Sequence, residues 1–569
     1  MNYIEITLFI IAVTGVIGMG IWKSKQGESD SENQSSSSYF LAGRGLSWYL
    51  VGFSLIAANI STEQFVGMSG KAADWLGMAI ASYEWMAAIT LVVVAFVFLP
   101  RFLRAGIYTV PEFLEYRYGA TARTVMALAT LLILVGVPTA SVIYSGAKVI
   151  SGYYPDVFIL GDLTAACWLI ALLSAGYVFV GGLKACVWTD LVWGAALIVG
   201  GAIVAYLAFQ ALGVADPASL VKTATLKDVT VDQLQNAGSW ERFQLLNGGT
   251  AEEGGKLHMI RPIDDAEIPW SALVIGLWLP NFFYWGLNQY IIQRTLGSKS
   301  LAEGQKGIVF AAFLKLLIPF VVVIPGILAF NLYYEQLAVS NGGYDFDGAF
   351  PVLLRNLIKP YPWISWFVLA AIFGAIVSSL ASMLNSASTI ATMDLYKKVK
   401  PNTPDSQLPK VGKAFVVIFV LISASIAPTL AHPGFGGIFT FIQEFQGFIS
   451  SGIIAIFLFG MLVPRAPRFL GWQCILLNVI LYGSLKWFIG DMIVDSGLWF
   501  SNEIAFLDRM AICFVVIMAY CAIATLVKPL KTPVVMPINT EISLESSKSV
   551  KVCGFLVVLM TIGLYIQFW

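Results

Sequence analysis

The stretch Ala57-Ala58-Asn59-Ile60-Ser61-Thr62-Glu63-Gln64 sets polar side chains in the middle of a run that is otherwise apolar enough to cross a membrane. Trp48 to Ile56 precede it, and Phe65, Val66 and Met68 follow. A polar group that faces hydrocarbon without a partner costs several kcal/mol. Such a stretch must therefore face protein, water or a ligand. A helix that stops and restarts at membrane depth frees carbonyls and hydroxyls, and these bind a small hard cation or a polar solute. More oxygens follow at Ser378 and Ser379, where Gly374, Ala375, Ser378, Ser382 and Asn385 share one helical face. Small residues on a face serve close helix packing. Consecutive hydroxyls opposite a broken helix also suit Na+, a hard cation that takes several oxygens and is released again because they carry no full counter-charge.

Glu84 and Lys315 are isolated charges within apolar runs. A charge at membrane depth signals function by default; the alternatives are a structural ion pair or a place at the membrane edge. Ser82, Tyr83 and Trp85 give Glu84 a mixed aromatic and polar surface, which suits a sugar with hydroxyls at its rim and C–H groups on its faces. Gln64, Asn281 and Gln443 are amides on other runs, able to donate and accept as a sugar hydroxyl does. Each taken singly also fits interhelical bonding. Asp190, in Trp188-Thr189-Asp190, fits either a cation exit path or a helix cap.

These residues need a membrane scaffold, and the composition supplies one. The chain has 569 residues, of which 58% are hydrophobic and only 12% charged, with a mean hydropathy of +0.78. Soluble domains carry about 25% charged residues. Roughly fourteen apolar runs have the ~20 residues needed to span a bilayer. The net charge is zero. With the amino terminus outside and the spans alternating, most basic residues fall on the inside, Arg294 among them, and both ends lie outside. The first span reads as a retained helix and not a signal peptide. Polar segments at 24–40 and 397–413 read as inside loops, and 211–268 as an outside connector. Cys167, Cys186, Cys474, Cys513, Cys521 and Cys553 lie in or beside apolar spans without metal-ligand spacing, far from His258 and His432, and read as buried thiols. No nucleotide loop, nucleophile elbow or paired-histidine zinc motif is visible, so the chain reads as a transporter and not an enzyme, with no organic cofactor and no nucleic-acid partner.

Interruptions recur five spans apart, at 57–64 and at Trp278-Leu279-Pro280-Asn281. An odd offset makes the two halves run in opposite directions, as in inverted-repeat transporters with a midplane site.

Long stretches carry a resemblance: Ser54 through Ile60, Ala81 through Met86, Tyr284-Trp285-Gly286, Asn288 through Thr295 and Ile376 through Asn385, with Gly181-Gly182-Leu183 after the fifth span. On these the chain resembles the sodium/solute symporters, and among them the bacterial sodium/galactose branch. The resemblance runs through nearly the whole chain and weakens at 211–268, 331–362 and the last spans. It implies an all-α polytopic protein of about fourteen transmembrane helices with a LeuT-like 5+5 inverted-repeat core. Residues 1–46 would form the first helix and an inside loop, 47–210 the first repeat, 211–268 the outside loop, 269–465 the second repeat, and 466–569 three peripheral helices. It implies Na+ on the carbonyls of Ala57, Ile60 and Ala375 and the hydroxyls of Ser378 and Ser379. It implies sugar on Gln64, Glu84, Asn281, Lys315 and Gln443 with Asn59 nearby, Tyr284 as the inner gate, and Met68, Tyr83 and Phe439 as the outer lid. One departure is Ala87, which stands where the family has a sugar-contacting serine. The expected function is Na+-coupled hexose uptake across the inner membrane by alternating access. Another polyol, an amino acid or a carboxylate remains open as solute, although Glu84 disfavours a carboxylate. A sensor or channel on the same scaffold is the reading from another class.

Overall fold

A computed structural model describes residues 3–25, 36–157, 159–339, 342–432, 437–540 and 542–569. Most of the 24–40 segment falls outside these residues. Among the described residues the fold is helical, with three isolated β-bridges and no named strand. Among these described residues, eleven helices are long and apolar enough to cross a membrane. Two shorter apolar helices, Trp48–Asn59 and Leu163–Phe179, and a broken pair at 278–296 bring the crossings to the expected fourteen.

The helices used below are α1 (Tyr3–Lys25), α2 (Trp48–Asn59), α3 (Ser82–Val93), α4 (Leu163–Val214), α5 (Trp278–Phe282), α6 (Gln289–Leu296), α7 (Leu301–Leu337), α8 (Pro362–Ile390), α9 (Ile438–Leu462), α10 (Leu470–Ser484), α11 (Phe506–Val527) and α12 (Lys548–Gln567). The centre consists of α2, α4, α7 and α8, with α3 against α7. Outside this centre, α1 lies on α4 and α8, α10 and α11 on α9, and α12 on α3 and α7. Leu526, Val527, Val552 and Phe555 on these outer helices are exposed, as side chains facing lipid are.

Local chemistry explains the breaks. α2 ends at Ile60, whose φ −85°, ψ 103° is extended, and Gln64 Oε1 accepts from the freed Ser61 N–H at 2.8 Å. α4 is two spans joined at Gly182, where φ is +55° and a Cβ would stand 2.9 Å from the Tyr39 ring. The second interruption is displaced from its expected place. Trp278, Leu279, Pro280 and Asn281 lie in α5, and the break falls at Asn288, φ −80°, ψ 122°, after a wide turn over Phe283–Leu287. Pro280 stands near the start of its helix, where no intrahelical bond needs its missing N–H.

After its break the second crossing continues through Gln64–Met68 and Ser69–Ala73 and presses on α7. A Cβ at Gly326 would lie 2.2 Å from the Ser69 carbonyl oxygen. Gly326→Ala is expected to destabilise the fold by about 1–3 kcal/mol, the usual cost of overpacking. A lowered thermal midpoint of the purified protein checks this. The 211–268 segment is more than a connector. Lys256 Nζ donates to Ala73 O at 2.5 Å, and Lys256 O accepts from Met78 N at 2.7 Å, so the loop is docked on the α2–α3 connection.

Candidate functional site

Two clusters meet at the break after α2. The first is a cavity of about 50 Å³, lined by both broken crossings, α3, α7 and α9. Asn59, Gln64, Glu84, Asn281, Lys315 and Gln443 all line it. Lys315 is 1% exposed; its Nζ donates to Glu84 Oε2 and to Asn59 Oδ1, and lies 4.9 Å from the centre of the Trp285 ring. Two full charges so deep in the molecule persist only as a pair. Asn59 Nδ2 in turn donates to the Tyr284 hydroxyl at 2.9 Å. Asn281 Nδ2 is engaged on Leu277 O at 2.9 Å.

Aromatic rings also line the cavity. Tyr83 and Phe439 meet edge to face at 4.9 Å, with Met68 beside them. Tyr284 lies against Trp285 at 5.1 Å and Tyr290 at 5.6 Å. Ala87 is buried but does not line the cavity.

The second cluster lies where α8 crosses the end of α2. Ser379 Oγ stands 3.3 Å from the carbonyl oxygens of both Ala57 and Ala58, and Ser378 Oγ 3.4 Å from that of Ala57. Good hydroxyl–carbonyl hydrogen bonds have a mode near 2.7–2.8 Å, so these spacings are long. Ala375 precedes Ser379 by one turn of α8, and Ile60 is the residue at which α2 unwinds. Ala57, Ile60, Ala375, Ser378 and Ser379 are all 1% exposed or less.

Asp190 belongs to this region, and its place inside α4 does not fit the expected helix cap. It is fully buried in α4 and caps no helix end. It accepts from Ser54 Oγ and Ser378 Oγ, each at 2.5 Å, and faces Arg294 at 3.6 Å. Arg294 Nε donates to Ser54 Oγ at 2.6 Å, and its terminal nitrogens donate to Ser382 Oγ and Tyr290 O. The charge pattern places Arg294 with the inside loops, but in the fold it is 0% exposed and its charge serves this network.

Sequence reasoning missed four groups. Glu63 is buried on the cavity wall and its Oε2 has no hydrogen-bond partner. Gln446 lies three residues after Gln443 on the same face of α9, a spacing that the sequence displays. Tyr290 and Trp285 are aromatic residues whose types fit packing as well as a site, and they give no comparable signal.

The profile of the sodium:solute symporter family matches residues 39–468. The sodium/glucose cotransporter of Vibrio parahaemolyticus is 41% identical over 81% of each chain. An uncharacterized symporter, YidK, of Escherichia coli K12 is 31% identical over 99% of this chain and 91% of its own. A solved structure of a Na+-coupled sialic acid symporter superposes with a TM-score of 0.70 over 94% of this chain and 99% of that one, at 20% identity. At that identity the likeness speaks for the fold, the LeuT-like inverted repeat. With its helical crossings, its twice-broken core and a family match that covers most of its length, the chain is a multi-pass membrane transporter of the sodium:solute symporter family.

Proposed function

We propose that this protein takes up a hexose with Na+, with the ion in the α2–α8 cluster and the sugar in the neighbouring cavity. The carrying observation is that one interrupted helix serves both clusters. The Ala57 and Ala58 carbonyls face the serines while the Asn59 side chain joins Lys315 and Tyr284. Hard cations of calcium's radius, close to that of Na+, are held at roughly 2.3–2.6 Å. Two such ligands at right angles stand roughly 3.3–3.7 Å apart on that basis. The Ser378 and Ser379 oxygens keep this spacing from the carbonyls, which supports a shared ion over paired hydrogen bonds. Na+ is carried cargo here, and Ala57, Ile60, Ala375, Ser378 and Ser379 are its proposed ligands.

For the sugar, Glu84 accepts from hydroxyls, Gln64, Asn281 and Gln443 both donate and accept, and Lys315 donates. The Tyr284 ring offers a platform for the pyranose C–H face. Lys315 already answers Glu84, so among the described residues lining the cavity no further cation meets a carboxylate solute, which favours a neutral polyhydroxylated one. The names of the curated relatives, which include sodium/glucose cotransporters, support the same class. In alternating access, the Met68–Tyr83–Phe439 lid opens to the outer solution, and displacement of Tyr284 opens the cavity to the cytoplasm. Ordered this way, the 211–268 loop and both termini face outward from the inner membrane. The basic inside segments support that orientation once Arg294 is set aside.

Na+-dependent uptake of labelled hexoses into proteoliposomes tests the reading; uptake that ignores Na+ would end it. One Na+ per sugar is the expected coupling, since Asp190 is already matched by Arg294. A potential of 100 mV is worth ~2.3 kcal/mol per charge, and a tenfold Na+ gradient adds ~1.4. One ion then supplies about 3.7 kcal/mol and concentrates a neutral sugar roughly 400-fold. A reversal potential whose slope corresponds to two ions would overturn the single-ion expectation.

A further inference from the structure

The face bearing the 211–268 loop is closed over the cavity by contacts that the transport reading does not use. Phe439 lies in the first turn of α9, and two carboxylates reach that turn from other parts of the chain. Glu267, 9% exposed, accepts from Lys71 Nζ and, at 3.3 Å, from Thr440 Oγ1. Asp347 Oδ2 accepts from Ile438 N at 3.3 Å. Lys71 lies in Ser69–Ala73, the continuation of the second crossing, so Glu267 bridges that segment to α9.

Glu267 is held in place. Its own N–H and that of Ile268 donate to Asp265 Oδ1 at 3.0 and 2.9 Å, and Arg261 Nε donates to Asp265 Oδ2 at 3.2 Å. The same two elements touch beneath it. A Cβ on Gly67 would stand 2.6 Å from Ile438 Cγ2 and 3.0 Å from Phe439 Cβ. The lid cannot leave Tyr83 without parting these surfaces. The side chains of Lys71 and Glu267 are only 11% and 12% exposed, so solvent screens the pair far less than a surface one. Burial pushes the Glu267 carboxyl above the usual carboxylate range, and Lys71 opposes that shift.

We propose that Glu267 is a gating residue: its carboxylate latches Lys71 to Thr440 and so holds Phe439 over the cavity. The strength of this latch sets how often the cavity opens outward. The inference rests on the transport reading only in taking this cavity as the transport site; it holds for any solute.

The test needs no solute. Ile442, which lines the cavity within a turn of Phe439, is replaced by cysteine in a Cys553→Ala background; the other five cysteines are buried. Reaction with a membrane-impermeant thiol reagent is followed on right-side-out vesicles. Glu267→Gln and Lys71→Met should each raise the labelling rate on the order of tenfold, the lower end of the effect of a hydrogen bond to a charged group. The exchange Lys71→Glu with Glu267→Lys should return it toward the parent rate. In transport, Glu267→Gln should lower the external half-saturation, because more protein waits open. Parental labelling in both single variants would overturn the latch. So would raised labelling that the exchange fails to reverse, since that reports a loosened fold. A wrong assignment of hexose would leave these labelling rates untouched.

Discussion

Lys315→Met is expected to raise the half-saturation for solute by 10²- to 10³-fold. The substitution removes the cation between Glu84 and Asn59 and leaves a carboxylate buried on the cavity wall with no countercharge. Breaking one partner of a buried pair costs about 3–5 kcal/mol. Glu84→Gln should be severe for the mirrored reason, because it strands Lys315 as well as weakening an acceptor for sugar hydroxyls. The double variant removes both charges. It should restore folding while uptake stays low, since the polar contacts to solute are gone. Uptake titrations at saturating Na+ measure all three, and an unchanged half-saturation in Lys315→Met would remove the pair from the site.

Ser379→Ala is expected to weaken Na+ activation by on the order of 10- to 100-fold, the effect of losing about 1–3 kcal/mol from one buried polar contact. Sugar half-saturation at saturating Na+ should change little. Ser379 is the cleaner position because Ser378 also donates to Asp190 at 2.5 Å. Ser378→Ala should therefore damage folding as well as ion activation. Equal Na+ dependence in Ser379→Ala and the parent would reassign that serine to packing.

The first break was legible because Asn59, Ser61, Thr62 and Glu63 have no reason to sit at membrane depth unless the helix yields there. The second was not. Pro280 is the loudest local signal, yet a proline near a helix start disturbs nothing, and the true break falls eight residues later, at Asn288 in the polar pair Asn288-Gln289. Glu84 and Lys315 were visible as isolated charges, but that they answer each other is a long-range fact. The same holds for Asp190 and Arg294, whose partnership removes a positive charge from the inside face and takes Asp190 from a solitary candidate into a network. Gln446 was within reach through its spacing from Gln443. Trp285 was not, since a tryptophan among apolar residues looks the same whether it packs or stacks on a cation.

Asn59 follows directly on a carbonyl with a different duty: Ala58 O lies 3.3 Å from the Ser379 hydroxyl, while the Asn59 side chain bridges Lys315 and Tyr284. A shift of a few tenths of an ångström in this backbone would move the proposed ion ligands and the proposed solute contacts together. Linkage then works both ways: whatever factor Na+ contributes to sugar affinity, sugar returns to Na+ affinity. A substitution that frees Asn59 from Tyr284 should therefore lower by the same factor the enhancement that each ligand gives the other. It should also let ions slip through without solute, because the proposed inner gate would no longer be tied to the peptide chain proposed to hold the ion.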